Sequence, residues 1–244
     1  MKNLNGGLMR KRCSDVIRIQ YFKELLTMAK DIYSLGDISS HTGIAPSTLS
    51  RYLHGRIVPM RDRLEELISI LERLVDIEKV VRTKMRFDRK GYLNNQGIIS
   101  DIKLLKFLAL KSSSKYHKKV DIVLSPATDG IPYATLVADF LQTKLVIAKD
   151  KKEVGVPKQV EASMVSEDGS IKTLYITRGL IRKDFRVLVV DDVIRTGYTH
   201  ETILNLIRKV GAQPVAIHVI IAIGDRWRYL IDKYNVEVDA VVYI

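Results

Sequence analysis

The sequence predicts two fold classes in one chain: an all-α N-terminal domain, and behind it an α/β domain whose parallel sheet is flanked by helices. Three observations predict this. Apolar positions recur at helical spacing as far as about residue 85. From about residue 91 short apolar runs alternate with helical patterns, as they do when parallel strands are joined by crossover helices. Positive charge is front-loaded: residues 1–90 carry about 18 Lys and Arg against about 11 Asp and Glu, roughly +7 of the +12 carried by all 244 residues. That skew points to a polyanionic partner for the first domain.

Composition sets further bounds. An apolar fraction of 46% is that of a globular protein. No run approaches the roughly 18 apolar residues of a membrane span, and the N-terminus lacks the apolar core of a signal peptide, so a cytoplasmic protein without a membrane partner is expected. Cys13 is the only cysteine, which excludes an internal disulfide and a cysteine-based zinc site.

Residues 1–13 are polar, contain two glycines and carry the basic cluster Arg10, Lys11 and Arg12; they read as a solvated tail. Ser14 reads as the N-cap of a first helix, in which Val16, Ile19, Tyr21, Phe22, Leu25, Leu26 and Met28 recur at helical spacing to about Lys30. A short helix then opens at Asp37 or Ser39 and runs to His41, Gly43 makes a turn, and Pro46 sits in the first turn of a second helix through Leu53. Ile38, Ile44, Leu49 and Leu53 would form a small core between these helices. Ser47, Thr48, Ser50 and Arg51 then project outward. Hydroxyls at the start of such a helix reach phosphates and base edges, and an arginine bridges two acceptors on guanine. Arg56, Arg61 and Arg63 are expected as backbone clamps, and His54 as a surface or capping residue. Short helix, glycine turn and second helix resemble the helix-turn-helix of the Cro and phage-repressor type, a resemblance that the phrase Leu53-His54-Gly55-Arg56 strengthens.

Between Arg61 and Met85 the residues Leu64, Leu67, Ile68, Leu71, Leu74, Val75 and Val81 fall near heptad spacing. A dimerisation helix joining two domains is expected there, since paired DNA-reading units need a symmetric spacing. Residues 82–90 read as a charged hinge, and Gly91 to Gly97 as the start of the next domain. The expected division is thus 1–60 for DNA binding, 61–90 for the linker and 91–244 for the α/β domain.

In that domain a helix is predicted over 100–110 and a strand over 120–124, followed by the turn Ser125 to Pro132 and a helix from Ala134 to Leu141. A second strand covers 145–148, and Lys149, Lys151 and Lys152 follow it. Alternation from Ser163 to Ile176 around Glu167-Asp168-Gly169-Ser170 predicts a hairpin. After it come the strand and loop from Val187 to Thr199, a helix from Glu201 to Val210, a strand over 215–223, a helix over 225–234 and a closing strand over 238–244. Trp227 and Tyr229 read as core or interface residues, and no C-terminal segment is evident that would make a nucleobase pocket.

The stretch from Val187 to Thr199 carries the chemistry. Val187 to Val190 read as a strand buried on both faces. Asp191 and Asp192 arrive where it leaves the sheet, and Thr196, Gly197, Tyr198 and Thr199 open a helix. Strand, loop and helix N-terminus together make an anion site, to which the threonine hydroxyls add donors. The two carboxylates suit ribose hydroxyls or a magnesium-bound polyphosphate.

This stretch resembles the signature loop that binds phosphoribosyl pyrophosphate (PRPP) in type I phosphoribosyltransferases. The resemblance implies that Asp191 and Asp192 hold the ribose 2- and 3-hydroxyls, and that Thr196, Gly197, Tyr198 and Thr199 hold the 5-phosphate, to which the Arg195 guanidinium could add a charge-assisted bond. It also implies a type I phosphoribosyltransferase fold, with Ala127, Thr128, Asp129 and Gly130 contacting pyrophosphate. Lys149, Lys151 and Lys152 resemble the basic loop that closes over pyrophosphate in orotate phosphoribosyltransferases, and the hairpin resembles the family's hood. Magnesium is implied as a companion of PRPP, with no direct metal ligand in the protein. Arg195 departs from the pattern. Purine salvage enzymes place an aspartate there for proton transfer, and a guanidinium stays protonated at pH 7.

The order of helix-turn-helix, linker helix and phosphoribosyltransferase-like domain resembles archaeal GfcR-type transcriptional regulators and, more distantly, bacterial purine repressors. That resemblance implies a homodimer on a double-stranded DNA operator, with PRPP or a competing nucleotide as effector and no catalytic residues. The alternative is an active orotate- or purine-type phosphoribosyltransferase with an accessory DNA-binding domain.

Overall fold

The computed structural model of the protein describes residues 4–156, 158–165 and 169–244, the first eleven of these by their backbone alone. Helix α1 spans Leu4–Ile32, so a helix replaces the expected tail from Leu4 onward; residues 1–3 lie outside the described residues. Leu8, Met9, Arg10, Lys11 and Arg12 are good helix formers and outweigh Gly6 and Gly7. Helix α2, Leu35–Thr42, starts earlier than expected because Ser34 caps it. Its hydroxyl accepts from the Asp37 N–H at 3.1 Å while the Asp37 carboxylate accepts from the Ser34 N–H at 3.0 Å. Gly43 closes α2 in the left-handed region (φ 66°), which a side chain would resist. Helix α3, Pro46–Leu53, follows with Pro46 in its first turn. Ile38 and Leu49 are buried, and Ile44 and Leu53 half-buried. The Phe22 ring of α1 meets Tyr52 of α3 edge-on, with centroids 5.7 Å apart.

The expected dimerisation helix is two helices, α4 (Arg61–Leu74) and α5 (Ile77–Lys84), separated at Asp76, whose carboxylate accepts from the Lys79 N–H. The apolar seam is not free. Leu64, Leu67, Ile68, Leu71, Val75 and Val81 are all buried within the chain. Helix α4 packs on α1, where the Tyr21 hydroxyl donates to Glu72 at 2.6 Å and Arg18 pairs with Glu65. An amphipathic helix has one apolar face, and α1 takes it; burying each leucine there is worth roughly 1.5–3 kcal/mol. Residues 61–83 therefore belong to the first compact unit, which runs to Thr83 and includes Leu110–Lys115; the second holds Lys84–Ala109 and Tyr116–Ile244.

The second unit opens with a hairpin where a hinge was expected: β1 (Arg86–Phe87) pairs antiparallel with β2 (Leu93–Asn94). Asp88 makes the turn, its carboxylate accepting from the N–H groups of Lys90 and Tyr92, each at 2.8 Å. Next come α6 (Gln96–Ile99), α7 (Ile102–Tyr116), β3 (Ile122–Pro126), α8 (Ile131–Leu141) and β4 (Lys144–Ala148). The hairpin β5 (Gln159–Val165) and β6 (Ile171–Thr177) starts earlier than expected, and Glu167 and Asp168 of its turn lie outside the described residues. Then follow β7 (Arg186–Ile194), α9 (Tyr198–Lys209), β8 (Gln213–Ala222), α10 (Tyr229–Tyr234) and β9 (Glu237–Tyr243).

Five strands form one parallel sheet in the order β4-β3-β7-β8-β9. Strand β7 is central, with Val187 to Val190 fully buried, as its uninterrupted apolar run dictates. All strands being parallel, the loops after β3, β4 and β7 leave the same edge, which is where open α/β sheets gather ligands.

Candidate functional site

The acid pair sits deeper than the sequence suggests. Strand β7 continues through Asp191 and Asp192 to Ile194, and the two residues are only 7% and 9% exposed. The loop after β3 is pressed against them: a Cβ on Gly130 would lie 3.0 Å from the Asp191 Cα and 3.1 Å from the Asp192 N. Only glycine permits that crossing, which brings the end of the Ala127–Gly130 turn against the acids. Thr128 and Asp129 are exposed there, and the Ala127–Thr128 peptide is cis. The Ala127 N–H donates to the Ala148 carbonyl at 2.9 Å, which sets Lys149 one residue from the same loop.

Burial, then the neighbouring Asp191 charge, pushes the Asp192 carboxyl up to about 8; Asp129 acts in the same direction. The Asp191 carboxylate accepts from the Asp192 N–H at 2.9 Å. Its other oxygen lies 3.2 Å from Nε2 of buried His200, outside hydrogen-bonding geometry. Asp192 in turn accepts from the side-chain amide of Asn95.

Gly197 begins α9 with φ 87°, and no side chain caps that helix. A Cβ at Gly197 would lie 3.3 Å from the Trp227 Cα and 3.1 Å from Leu230. The segment behind it is anchored by Glu201, which is 1% exposed and accepts from Tyr229, Lys233 and Tyr234 at 2.6, 2.6 and 3.0 Å. Burial works to raise the Glu201 carboxyl, but these three donors outweigh it and hold the group below its ordinary value. The loop thus rests on a rigid floor while the helix N-terminus faces the acids' end of the sheet. Thr196 and Thr199 are half-buried, and their hydroxyls have no partner among the described residues. Arg195 is exposed, its guanidinium carbon 5.7 Å from the centre of the Tyr92 ring.

The basic run divides. Lys149 exchanges backbone hydrogen bonds with Tyr175 and pairs with Glu153. Lys152 pairs with Glu161 of β5 at 3.1 Å and lies 5.4 Å from the Tyr175 ring centre. Lys151 is exposed. Among the described residues no hydrogen bond or ion pair joins Lys151 or Lys152 to the acid pair.

In the first unit, Ser47, Arg51 and Arg56 are exposed, with Thr48 and Ser50 half-buried. Arg63 has an internal role: it donates to the Thr42 carbonyl at 2.8 Å and pairs with Glu66, which ties α4 to the turn at Gly43. Arg61 lies 3.7 Å from Asp15. A ring nitrogen of His54 lies 2.7 Å from the Ser50 carbonyl, as in a capping residue.

Two residues at the acid pair, His200 and Asn95, and Tyr92 beside Arg195 are absent from the sequence-based expectation. His200 comes directly after the loop, and its place on the helix face turned toward the strand end could have found it. Asn95 and Tyr92 precede the acids by about a hundred residues, and only tertiary folding brings them there.

Sheet, crossing glycine, buried acid pair and uncapped helix thus meet at one edge of the second unit. Residues 91–242 match the family model for the phosphoribosyl transferase domain, and the chain belongs to that family. Among curated relatives it is similar to the adenine phosphoribosyltransferase of Mycoplasmopsis fermentans, with 25% identity over 172 residues, 69% of this chain and 99% of the relative. It is also similar to two transcription regulators. The purine biosynthesis transcriptional repressor PurR of Bacillus subtilis is 27% identical over 119 residues, 48% of this chain and 42% of the relative. The transcriptional regulator GfcR of Methanobrevibacter smithii is 28% identical over 119 residues, 46% and 54%. In fold, the chain superposes on the crystal structure of adenine phosphoribosyltransferase from Thermoanaerobacter pseudethanolicus with TM-score 0.61 and 18% identity, covering 68% of this chain and 99% of the other. Among the described residues no helix is long and apolar enough to cross a membrane.

Proposed function

We propose that this protein is a DNA-binding transcription regulator whose phosphoribosyltransferase-like domain senses PRPP or a nucleotide that competes for the same site. The observation that carries this reading is the face of α3: Leu49 is buried while Ser47 and Arg51 stand exposed, in a helical unit joined to a sugar-phosphate fold. We read α2, Gly43 and α3 as a helix-turn-helix, with Ser47, Thr48, Ser50 and Arg51 toward base edges and Arg56 toward phosphate.

In the effector site Asp191 and Asp192 take the ribose diol, and Arg195, Thr196, Gly197, Tyr198 and Thr199 take the 5-phosphate. Ala127 to Gly130 line the diphosphate end, with Lys149 beside them. Magnesium would arrive with the diphosphate, since it takes most of its ligands from substrate phosphates and water. Effector binding matters only if the DNA-competent and incompetent states bind it differently. A homodimer would supply two DNA-reading units; with the α4 seam buried, its interface lies elsewhere.

A second reading, an active phosphoribosyltransferase, is favoured by the similarity to a salvage enzyme along 99% of that relative's length. One pair of measurements separates the two. Titration of the wild type with magnesium-PRPP is expected to show saturable heat, and incubation of the same protein with PRPP and adenine or orotate is expected to release no pyrophosphate. No heat would remove the sensor reading, and turnover at enzyme-like rates would establish the second.

A further inference from the structure

The acid pair is engaged before any effector arrives, and by a segment far away in sequence. The side-chain amide of Asn95 donates to Oδ2 of Asp192 across 97 residues of chain. The partners of the two acids differ. Asp191 is held from within its own strand, by the Asp192 N–H on one oxygen, with Nε2 of buried His200 3.2 Å from the other. Asp192 is held by Asn95. With 9% exposure it has little room for the amide and a sugar hydroxyl at once.

Asn95 also has a lever behind it. It follows directly on the hairpin β1–β2, whose turn is fixed by Asp88 and whose Tyr92 reaches the Arg195 guanidinium. Just beyond Asn95 the chain presses back on its own start: a Cβ on Gly97 would lie 2.8 Å from the Lys84 carbonyl oxygen, at the end of α5. The Lys84 ammonium is fixed in turn by Asp101 at 2.8 Å. Residues 84–97 thus form a closed loop with its neck at Lys84–Gly97 and two side chains on the site. Helix α5, which ends at that neck, is the last helix of the first unit before the hairpin.

We propose that Asn95 is a latch on the effector site: it occupies Asp192 in the unliganded protein and yields that carboxylate to the ribose diol of the incoming ligand. Release of Asn95 frees the hairpin and loads the Lys84–Gly97 neck, which leads by chain continuity to the DNA-reading unit. A neutral amide suits this role, because its bond to a buried carboxyl is weak enough to be exchanged for two hydroxyl donors. The raised proton affinity of Asp192 fits a carboxyl that awaits better partners. The latch rests on the reading of Asp191 and Asp192 as ribose ligands, and it makes the ribose, rather than the phosphates, the group that triggers release.

The test is isothermal titration of wild type, Asn95→Ala and Asn95→Ser with magnesium-PRPP, with ribose 5-phosphate and with magnesium-pyrophosphate, together with amide hydrogen exchange over residues 86–97. Both variants are expected to bind PRPP and ribose 5-phosphate about fivefold more tightly than wild type, the effect of removing one competing hydrogen bond, and to bind pyrophosphate unchanged. Exchange over Leu93 to Gln96 should be faster in the unliganded variants, and PRPP should speed it in wild type alone. Unchanged or weaker PRPP binding by the variants, equal tightening of pyrophosphate, or slower exchange on binding would each overturn the latch. If wild type binds none of the three ligands, the sensor reading fails and ligand exchange at the latch fails with it. The unliganded exchange data still decide separately whether Asn95 pins the hairpin.

Discussion

The loop between β7 and α9 and the outer face of α3 are both read as binding surfaces, yet they are built in opposite ways. At the loop the acids and glycines are fixed by packing: acids in a central strand, one glycine crossing against them and another jammed on Trp227. On α3 the functional groups are fixed only by helical register, with Leu49 holding the helix and Ser47 and Arg51 held by nothing beyond it. Site and stability are therefore inseparable in the first region and separable in the second. Substitutions should divide accordingly.

The largest effect is expected at Gly197. Valine there must adopt φ 87° and enter space held by Trp227 backbone, so Gly197→Val should cost about 4 kcal/mol in chemical denaturation, with loss of PRPP binding; a loss below about 1 kcal/mol would break the contrast. Asp192→Asn comes second, and its effect depends on pH. A carboxyl held at about 8 when folded contributes stability below its ordinary value near 4 and loses it as pH rises through 8. The variant should therefore match wild type near pH 4 and become progressively the more stable of the two as pH rises toward 8, a window that thermal unfolding at several pH values will trace.

Arg51→Ala should show the opposite behaviour, with stability within about 0.5 kcal/mol of wild type and operator affinity lower by about 1–3 kcal/mol. A gel-shift titration beside a melting curve checks both halves. The smallest expected effect is at Ser34, whose replacement by alanine removes the α2 cap and should cost about 1 kcal/mol in the first unit, read as hydrogen exchange in α2.

The same contrast governs what was legible in the sequence. Val187 to Val190 announce a buried strand, and Asp191, Asp192 and Gly197 announce the anion loop at its end, because local chemistry dictates each of them. The order of strands and crossover helices is legible for the same reason. The seam of Leu64, Leu67 and Leu71 has the periodicity of a helix that needs a partner, but periodicity does not say whether the partner is a second chain or α1. Lys152 pairs with Glu161 of the β5–β6 hairpin, and a charge run carries no sign of its partner. Asn95 was illegible altogether, since nothing near it in sequence indicates Asp192.

If one protein reads DNA and takes a sugar phosphate as its effector, as proposed, each binding event must affect the other. Retention of genomic duplex fragments by the wild type, measured at physiological salt with and without magnesium-PRPP, tests this directly. We predict a subset of fragments bound above the non-specific background, with an affinity that PRPP changes by about fivefold or more. Fragments bound only non-specifically, or a specific affinity unmoved by saturating PRPP, would contradict it.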